Sequence, residues 1–290
     1  MAKSDKQDEK NGLQKRLGIT FHRTFSLVRP ALSQVLEVAV NTAELEGKNV
    51  KLTRSRIQAS TSLGTIYVEA MPRYCYGAGL LNQKYLPTDF GFFANKYDRL
   101  LELTGTQWIM HYHLSSSSGT GPAFWNDLVS NRFYTGSTFS RDDIIEQIGN
   151  FVWRKENKIL NKSDVAATAT VFLGTYTKPE GFGKLRILET TESGRYRVCE
   201  GTPAPAWAVG YALLDFWEAH YPGRLSVGLD TLHESSFAKL FLIGKSDLEN
   251  VLQMLQEARH LEVHRSAPPY QVLLLRQDKE PLLKRLYGAD

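Results

Sequence analysis

The chain has 290 residues, 42% apolar and 23% charged, enough for two domains and a substantial core. Its formal net charge is +4 and its isoelectric point is near 8.9, so where cations gather matters more than their total. Cys75 and Cys199 belong to no CxxC pair, which argues against a disulfide framework or structural zinc. No apolar run approaches the ~20 residues of a membrane span, and Met1 to Arg16 is too polar for a signal peptide; a cytoplasmic protein is expected.

Residues 1–17 carry five basic residues against three acids, have little to bury and are expected to form a disordered arm. Phe21-His22-Arg23-Thr24-Phe25 leads into a helix from Pro30 to Leu45. Pro30 suits its first turn, and Leu32, Val35, Leu36 and Ala39 form its buried stripe. From Leu52 to Gly91 the pattern is helix, tight turn, helix, short extended segment. Thr53 or Ser55 caps the first helix, Gly64 supplies the positive φ of the reversal, and Thr65 caps the second helix. Pro72 is expected to bend or end that helix near Met71, and Lys84 to Phe90 to form a wing strand.

This outline is that of a winged helix-turn-helix, which lays its second helix in a DNA major groove. Gly47 to Thr88 holds Lys48, Lys51, Arg54, Arg56, Arg73 and Lys84 against the single acid Glu69, an imbalance suited to phosphates. The expected DNA-binding residues are Arg54, Arg56, Thr65, Tyr67, Arg73, Tyr74 and Lys84. Thr65 and Tyr67 approach bases and the cations hold phosphates.

Helices are next expected over Leu100–Leu114, Ala123–Asn131, a stretch opened by a Ser140/Asp143 capping box, and Asp164–Leu173 behind a Ser163 cap. Leu185–Thr190 and Arg195–Glu200 read as a hairpin, and Ala206–His220 as the most apolar helix. The last part repeats the opening theme. A strand over Arg224–Leu229 precedes helices Ser235–Ile243 and Asp247–Arg259, then strands Leu261–Arg265 and Gln271–Arg276. Its second helix is acidic, which suits a scaffold or partner module. The fold class is therefore mostly α with a minor β part and a winged unit near each end. The expected division is an arm over 1–17, an N-terminal winged-helix domain over 18–122, a helical middle with a hairpin over 123–202 and a C-terminal winged-helix-like domain over 203–290.

Signals for chemistry are sparse. Gly244-Lys245-Ser246 lacks the earlier glycine of a phosphate loop, since Lys239 stands there. His260, Glu262 and His264 alternate along a strand, where a solvated wing face is the plainer reading than a metal site. Glu156-Asn157-Lys158 with Asp142 or Asp143 fits a metal-dependent nuclease only loosely. His22 and His111 are the candidates for a catalytic pair, which requires them to meet in the fold.

The motifs FHRTF, SLG, AGLL, LPTDFG, TQWIMHYHL, AFWNDLVSN and VGYALLDFW together resemble the SspB-like family of DNA phosphorothioation defence operons (domain of unknown function 4007) over about Phe21 to Tyr287. The resemblance implies a DNA-facing role in replacing a phosphate oxygen with sulfur, alongside a cysteine desulfurase and a PAPS-reductase-like ATP-using enzyme. It also implies a possible DNA-nicking activity, with Mg as the cofactor if the protein is a nuclease. The alternatives are a non-enzymatic DNA-binding adaptor and a transcriptional regulator of the operon. His22, Thr24 and Phe25 match the opening motif, Leu63 and Gly64 the turn, Gly91 the end of the wing, and Trp108 and His111 the central helix. Arg23 stands where the family leads one to expect an acid, which weakens a metal role there.

Overall fold

The structure is a computed structural model that describes residues 15–47, 50–157 and 159–289; residues 1–14 of the expected arm, Lys48 and Lys158 lie outside it. The protein is mostly helical with two small antiparallel sheets. Among the described residues, no helix is long and apolar enough to cross a membrane.

Helix α1 (Arg29–Glu46) buries Leu32, Val35, Leu36 and Ala39, the expected stripe. Arg29 is buried at its start. Its guanidinium donates to the carbonyls of Gly181 (2.7 Å), Pro179 (2.7 Å) and Leu101 (3.0 Å), so the charge is met by three backbone dipoles. Helix α2 (Arg54–Ser60) is capped by Thr53, whose Oγ1 accepts from Arg56 N–H at 3.3 Å.

Helix α3 (Thr65–Gly77) starts from Gly64, which has φ −67° and ψ 159°. That glycine supplies no positive φ, and Thr65 is the first helical residue, not the cap. The helix also continues through Pro72 to Gly77. A proline inside a helix removes one donor and costs about 3 kcal/mol. Ala70, Met71, Tyr74 and Cys75 are fully buried beside it, and that burial outweighs the lost bond.

No wing strand follows α3. Only an isolated bridge joins Leu81 to Pro87, and Asp89 opens helix α4 (Asp89–Tyr97). The reason is local. Asn82 Oδ1 accepts from the amides of Lys84 and Leu86, closing a tight loop, and Thr88 caps α4 by accepting from Gly91 N–H. Gly91, matched to the end of a wing, is a helical contact instead: a Cβ there would meet the Leu80 carbonyl oxygen at 2.1 Å.

Helix α5 (Thr104–Ser115) is buried on all sides, as expected of an axis rather than a surface helix. It starts later than Leu100 because the Asp98 carboxylate accepts from the amides of Glu102 and Leu103. Around it lie α6 (Ala123–Arg132), α7 (Arg141–Phe151) and α8 (Lys162–Thr177). The Ser140/Asp143 capping box is present in both directions, at 3.1 and 2.6 Å. Asn161, not Ser163, caps α8. A π-helical turn, Val152–Glu156, extends α7.

The hairpin strands β2 (Leu188–Thr190) and β3 (Tyr196–Val198) gain a third partner, β1 (Thr138–Phe139), in the order β1-β3-β2. Helix α9 (Ala206–His220) packs along α5. The C-terminal part runs β4 (Ser226–Gly228), α10 (Leu229–Glu234), α11 (Phe237–Leu240), α12 (Lys245–Glu257), β5 (Leu261–His264) and β6 (Gln271–Leu274), with sheet order β4-β6-β5. The helix expected over Ser235–Ile243 is shortened to α11, and a separate helix, α10, precedes it; Ser235 Oγ accepts from Phe237 N–H between them. A final helix, α13 (Glu280–Tyr287), was not foreseen. One connected core runs from Ile19 to Leu283, continuous across positions 122 and 202.

Candidate nucleic-acid interface

The exposed side of α3 is built from residues one turn apart. Thr65 is exposed, Ile66 is 52% exposed, and Glu69 and Arg73 follow at helical spacing. Arg54, at the start of α2, reaches across to Glu69 at 2.6 Å. Arg23, from the turn before α1, reaches the same carboxylate at 2.9 Å. The hydrogen bond from Arg23 holds the Glu69 carboxyl below its ordinary range, with further help from the charges of Arg54 and Arg73. Two guanidiniums from two elements thus pair with one carboxylate, the charge of Arg73 acts on it from one turn along α3, and a positive surplus remains.

That surplus continues away from α2. Arg73 donates to the Phe21 carbonyl at 3.4 Å and borders a cleft of about 330 Å³ that Lys15 and Arg16 also line, with no acid among its described lining residues. Arg16 anchors this segment by donating to the carbonyls of Gly121, Ser117 and Ser116. Lys15 to Leu17, read in the sequence as part of a free arm, therefore lie against the body. On the other side, Arg23, Ile66 and Glu69 face Asp164 and Ala167 of α8 across a cleft of about 400 Å³.

The expected site residues do not all meet here. Arg54, Thr65 and Arg73 do. Arg56 lies 200° round α2 from Arg54 and pairs with Glu46 and Thr42 of α1, away from this face. Tyr67 is half-buried, its ring 4.5 Å from Phe25. Tyr74 is fully buried, donates to the Phe25 carbonyl at 2.9 Å and cannot reach a ligand on this face. Lys84 is exposed in the Asn82 loop. Arg23 joins the site although nothing local in the sequence ties it to Glu69, 46 positions away.

His22 and His111 do not form a pair. Thr24 N–H donates to His22 Nδ1 at 3.0 Å, so Nε2 carries the proton and donates to Thr168 Oγ1 at 3.1 Å. Thr168 in turn donates to the Asp164 carbonyl. Burial pushes the His22 pKa down to about 4. His111 donates from Nε2 to the Leu240 carbonyl (2.8 Å) and accepts at Nδ1 from Tyr176, whose hydroxyl accepts from Trp125. Burial pushes the His111 pKa to about 4 as well. Their partners, Thr168 and Tyr176, sit eight residues apart on α8, about 12 Å along its axis. Each imidazole is neutral with both nitrogens in use, and neither is placed to accept a substrate proton. Among the described residues, no three of His, Cys, Asp and Glu stand close enough to hold a metal ion.

A family model described as "Protein of unknown function (DUF4007)" matches residues 22–287. A crystal structure of SspB is similar in fold, with a TM-score of 0.72 and 17% identity over 95% of this chain and 89% of that one. A magnesium-ion-bound crystal structure of SspB is similar at TM-score 0.71 and 18% identity, with the same coverage. No curated protein matches the chain in sequence. At such identities the likeness to the solved structures establishes the fold.

Proposed function

The chain belongs to the DUF4007 family, and on that premise we propose that it is the DNA-binding component of a bacterial DNA phosphorothioate-modification (anti-phage defence) system. It grips the phosphodiester backbone of duplex DNA through the exposed side of α3. The observation that carries this reading is the convergence of Arg23, Arg54 and Arg73 around a single carboxylate, continued by Arg16 and Lys15. Guanidiniums suit phosphate because their donors match its oxygens in pairs. The shared fold with SspB and the motif likeness support the assignment to a phosphorothioation system.

We read α1 to α3 as a helix-turn-helix without a strand wing, and the β4-to-β6 unit as a winged helix. The latter offers a charge-balanced surface, with Arg265 and His233 on Glu249 and His264 on Glu262. Such a surface suits a protein partner, such as the desulfurase or the ATP-using enzyme, better than a polyanion.

One SspB structure carries magnesium. The residues described in this chain do not gather into a carboxylate or histidine set for such an ion. The arginine cluster around Glu69 supports binding. The adaptor reading follows from the same observation, with sulfur and phosphate chemistry left to the partners.

Fluorescence anisotropy on a labelled duplex tests this. Arg54→Glu with Arg73→Glu should weaken binding at least tenfold, while Arg56→Glu, whose partner is Glu46, should leave it within about twofold. Equal losses from the two variants, or none from the first, would overturn the proposed face.

A further inference from the structure

We propose that the cleft between Arg73 of α3 and residues 15–18 receives one unpaired nucleotide of the DNA held on the α3 face, with the base against Tyr85 and the phosphate on Arg73 and Lys15; this rests on the reading given above. The cleft is continuous with that face. Arg73 lies one turn beyond Glu69 on α3, and Thr20 lines both this cleft and the one that holds Arg23, Ile66 and Glu69. Its volume of about 330 Å³ is at the small end of ligand pockets, room for a nucleotide and not for a duplex.

Both walls are fixed by hydrogen bonds. On one side Leu17 N–H donates to the Thr120 carbonyl at 3.0 Å, Arg16 spends its guanidinium on three further carbonyls, and the Tyr76 hydroxyl donates to the Lys15 carbonyl. On the other side the Asn82 loop carries Gln83 and Tyr85. Tyr85 N–H donates to the Asn82 carbonyl at 2.8 Å, and Tyr85 takes a φ of 58°, a left-handed conformation that bulky side chains rarely adopt. Glycine or asparagine would close that loop with less strain, so the turn alone does not account for a tyrosine there. The Tyr85 ring is half-buried and meets Tyr76 edge to face, with centres 6.5 Å apart.

The lining selects the occupant. Arg73 makes one long hydrogen bond, to the Phe21 carbonyl at 3.4 Å, and no ion pair among the described residues, which leaves donors for a phosphate. Burial raises the Tyr85 pKa while the charge of Arg73 works against it, so phenol and guanidinium border the same space. Gln83 is exposed at the rim and offers an amide that both donates and accepts. Cations, an aromatic ring and an amide, with no acid among the described lining residues, match a phosphate joined to a base. A bare phosphate has no use for the ring, and a neutral aromatic ligand has none for the cations. In paired DNA the bases are stacked and closed to such a cleft, so the nucleotide that enters is already unpaired or is extruded.

Three short labelled duplexes test this by anisotropy: one fully paired, one with a single unpaired nucleotide at its centre, and one with an abasic residue in place of that nucleotide. The abasic duplex keeps the phosphates and the flexible joint and removes only the base. The wild-type protein should bind the duplex with the unpaired nucleotide roughly five- to hundredfold more tightly than the abasic one. Tyr85→Ala should abolish that difference and leave affinity for the paired duplex unchanged, while Tyr85→Phe keeps the difference. Gln83→Ala, an exposed site whose change does not threaten the fold, should narrow it. If the wild type binds the unpaired and abasic duplexes equally, or if Tyr85→Ala and Gln83→Ala both keep the full difference, the nucleotide cleft is overturned while the α3 face stands. If the wild type binds none of the three duplexes at low salt, both fall.

Discussion

At the scale of single residues, the two histidines that invite a catalytic reading each spend both ring nitrogens on internal hydrogen bonds. His22 holds the turn that projects Arg23, accepting from Thr24 N–H while Arg23 and Thr24 take positive φ values of 49° and 72°. Protonating Nδ1 would set a hydrogen against that amide. Both His22 and His111 are neutral in the fold, with pKa values near 4 against about 6.5 in the unfolded chain. Between those values the unfolded chain binds protons that the folded chain does not. Stability is thus complete above about pH 6.5 and falls as pH drops toward 4, with a slope of up to about 1.4 kcal/mol per pH unit from each histidine. Chemical denaturation across this range should show the decline, and His22→Asn should flatten it. An equally steep decline in that variant would contradict the neutral, locked imidazole. The alternation or spacing of histidines in sequence does not reveal saturation of this kind, since Thr168, Tyr176 and Leu240 are remote in the chain.

At the scale of elements, the two helices flanking Gly64 are legible in the sequence, and the strand expected after them is absent. The Thr53 cap locates the start of α2, and the start of α3 falls at Thr65 beside the expected turn. The helix expected to bend or end near Met71 continues through Pro72 because its neighbours are buried, and the extended look of Lys84 to Phe90 hides an Asn82 loop and a Thr88 cap. The two glycines bracketing α3 separate these effects. Gly79 has φ +77°, and a Cβ there would lie 2.3 Å from the half-buried His113 ring, whereas Gly64 has an ordinary φ and nothing within 4 Å. Gly79→Ala should cost about 2–5 kcal/mol from left-handed strain and overpacking together. Gly64→Ser should be neutral or slightly stabilising, because serine caps at least as well as glycine. Thermal or denaturant unfolding of the pair checks this, and a tolerated Gly79→Ala would contradict the close approach of α3 to α5.

At the scale of the molecule, α5 organises everything. Trp108 donates to the Thr202 carbonyl, His111 to that of Leu240, Tyr112 to Asp215, and Thr106 meets the Tyr287 hydroxyl. Lys279, just before α13, pairs with that same Asp215 at 2.8 Å and draws the C-terminus back to the centre. These long-range ties join the regions that the sequence divides at 122 and 202, and no local pattern announces them. The basic face is emergent in the same way. Charge counting singles out Gly47–Thr88, but tertiary pairing diverts Arg56 to α1, and Tyr74 is buried, while Arg23 and Arg16 come in from outside that stretch. The central claim is that this assembled surface binds phosphate, and the salt dependence of duplex affinity reports phosphate contacts most directly. Compared with the wild type, Arg23→Ala/Arg54→Ala/Arg73→Ala should bind more weakly at low salt, with a slope of log affinity against log salt that is shallower by roughly 2–3, near one per guanidinium removed. An unchanged slope in the triple variant would show that the arginines around Glu69 do not touch DNA.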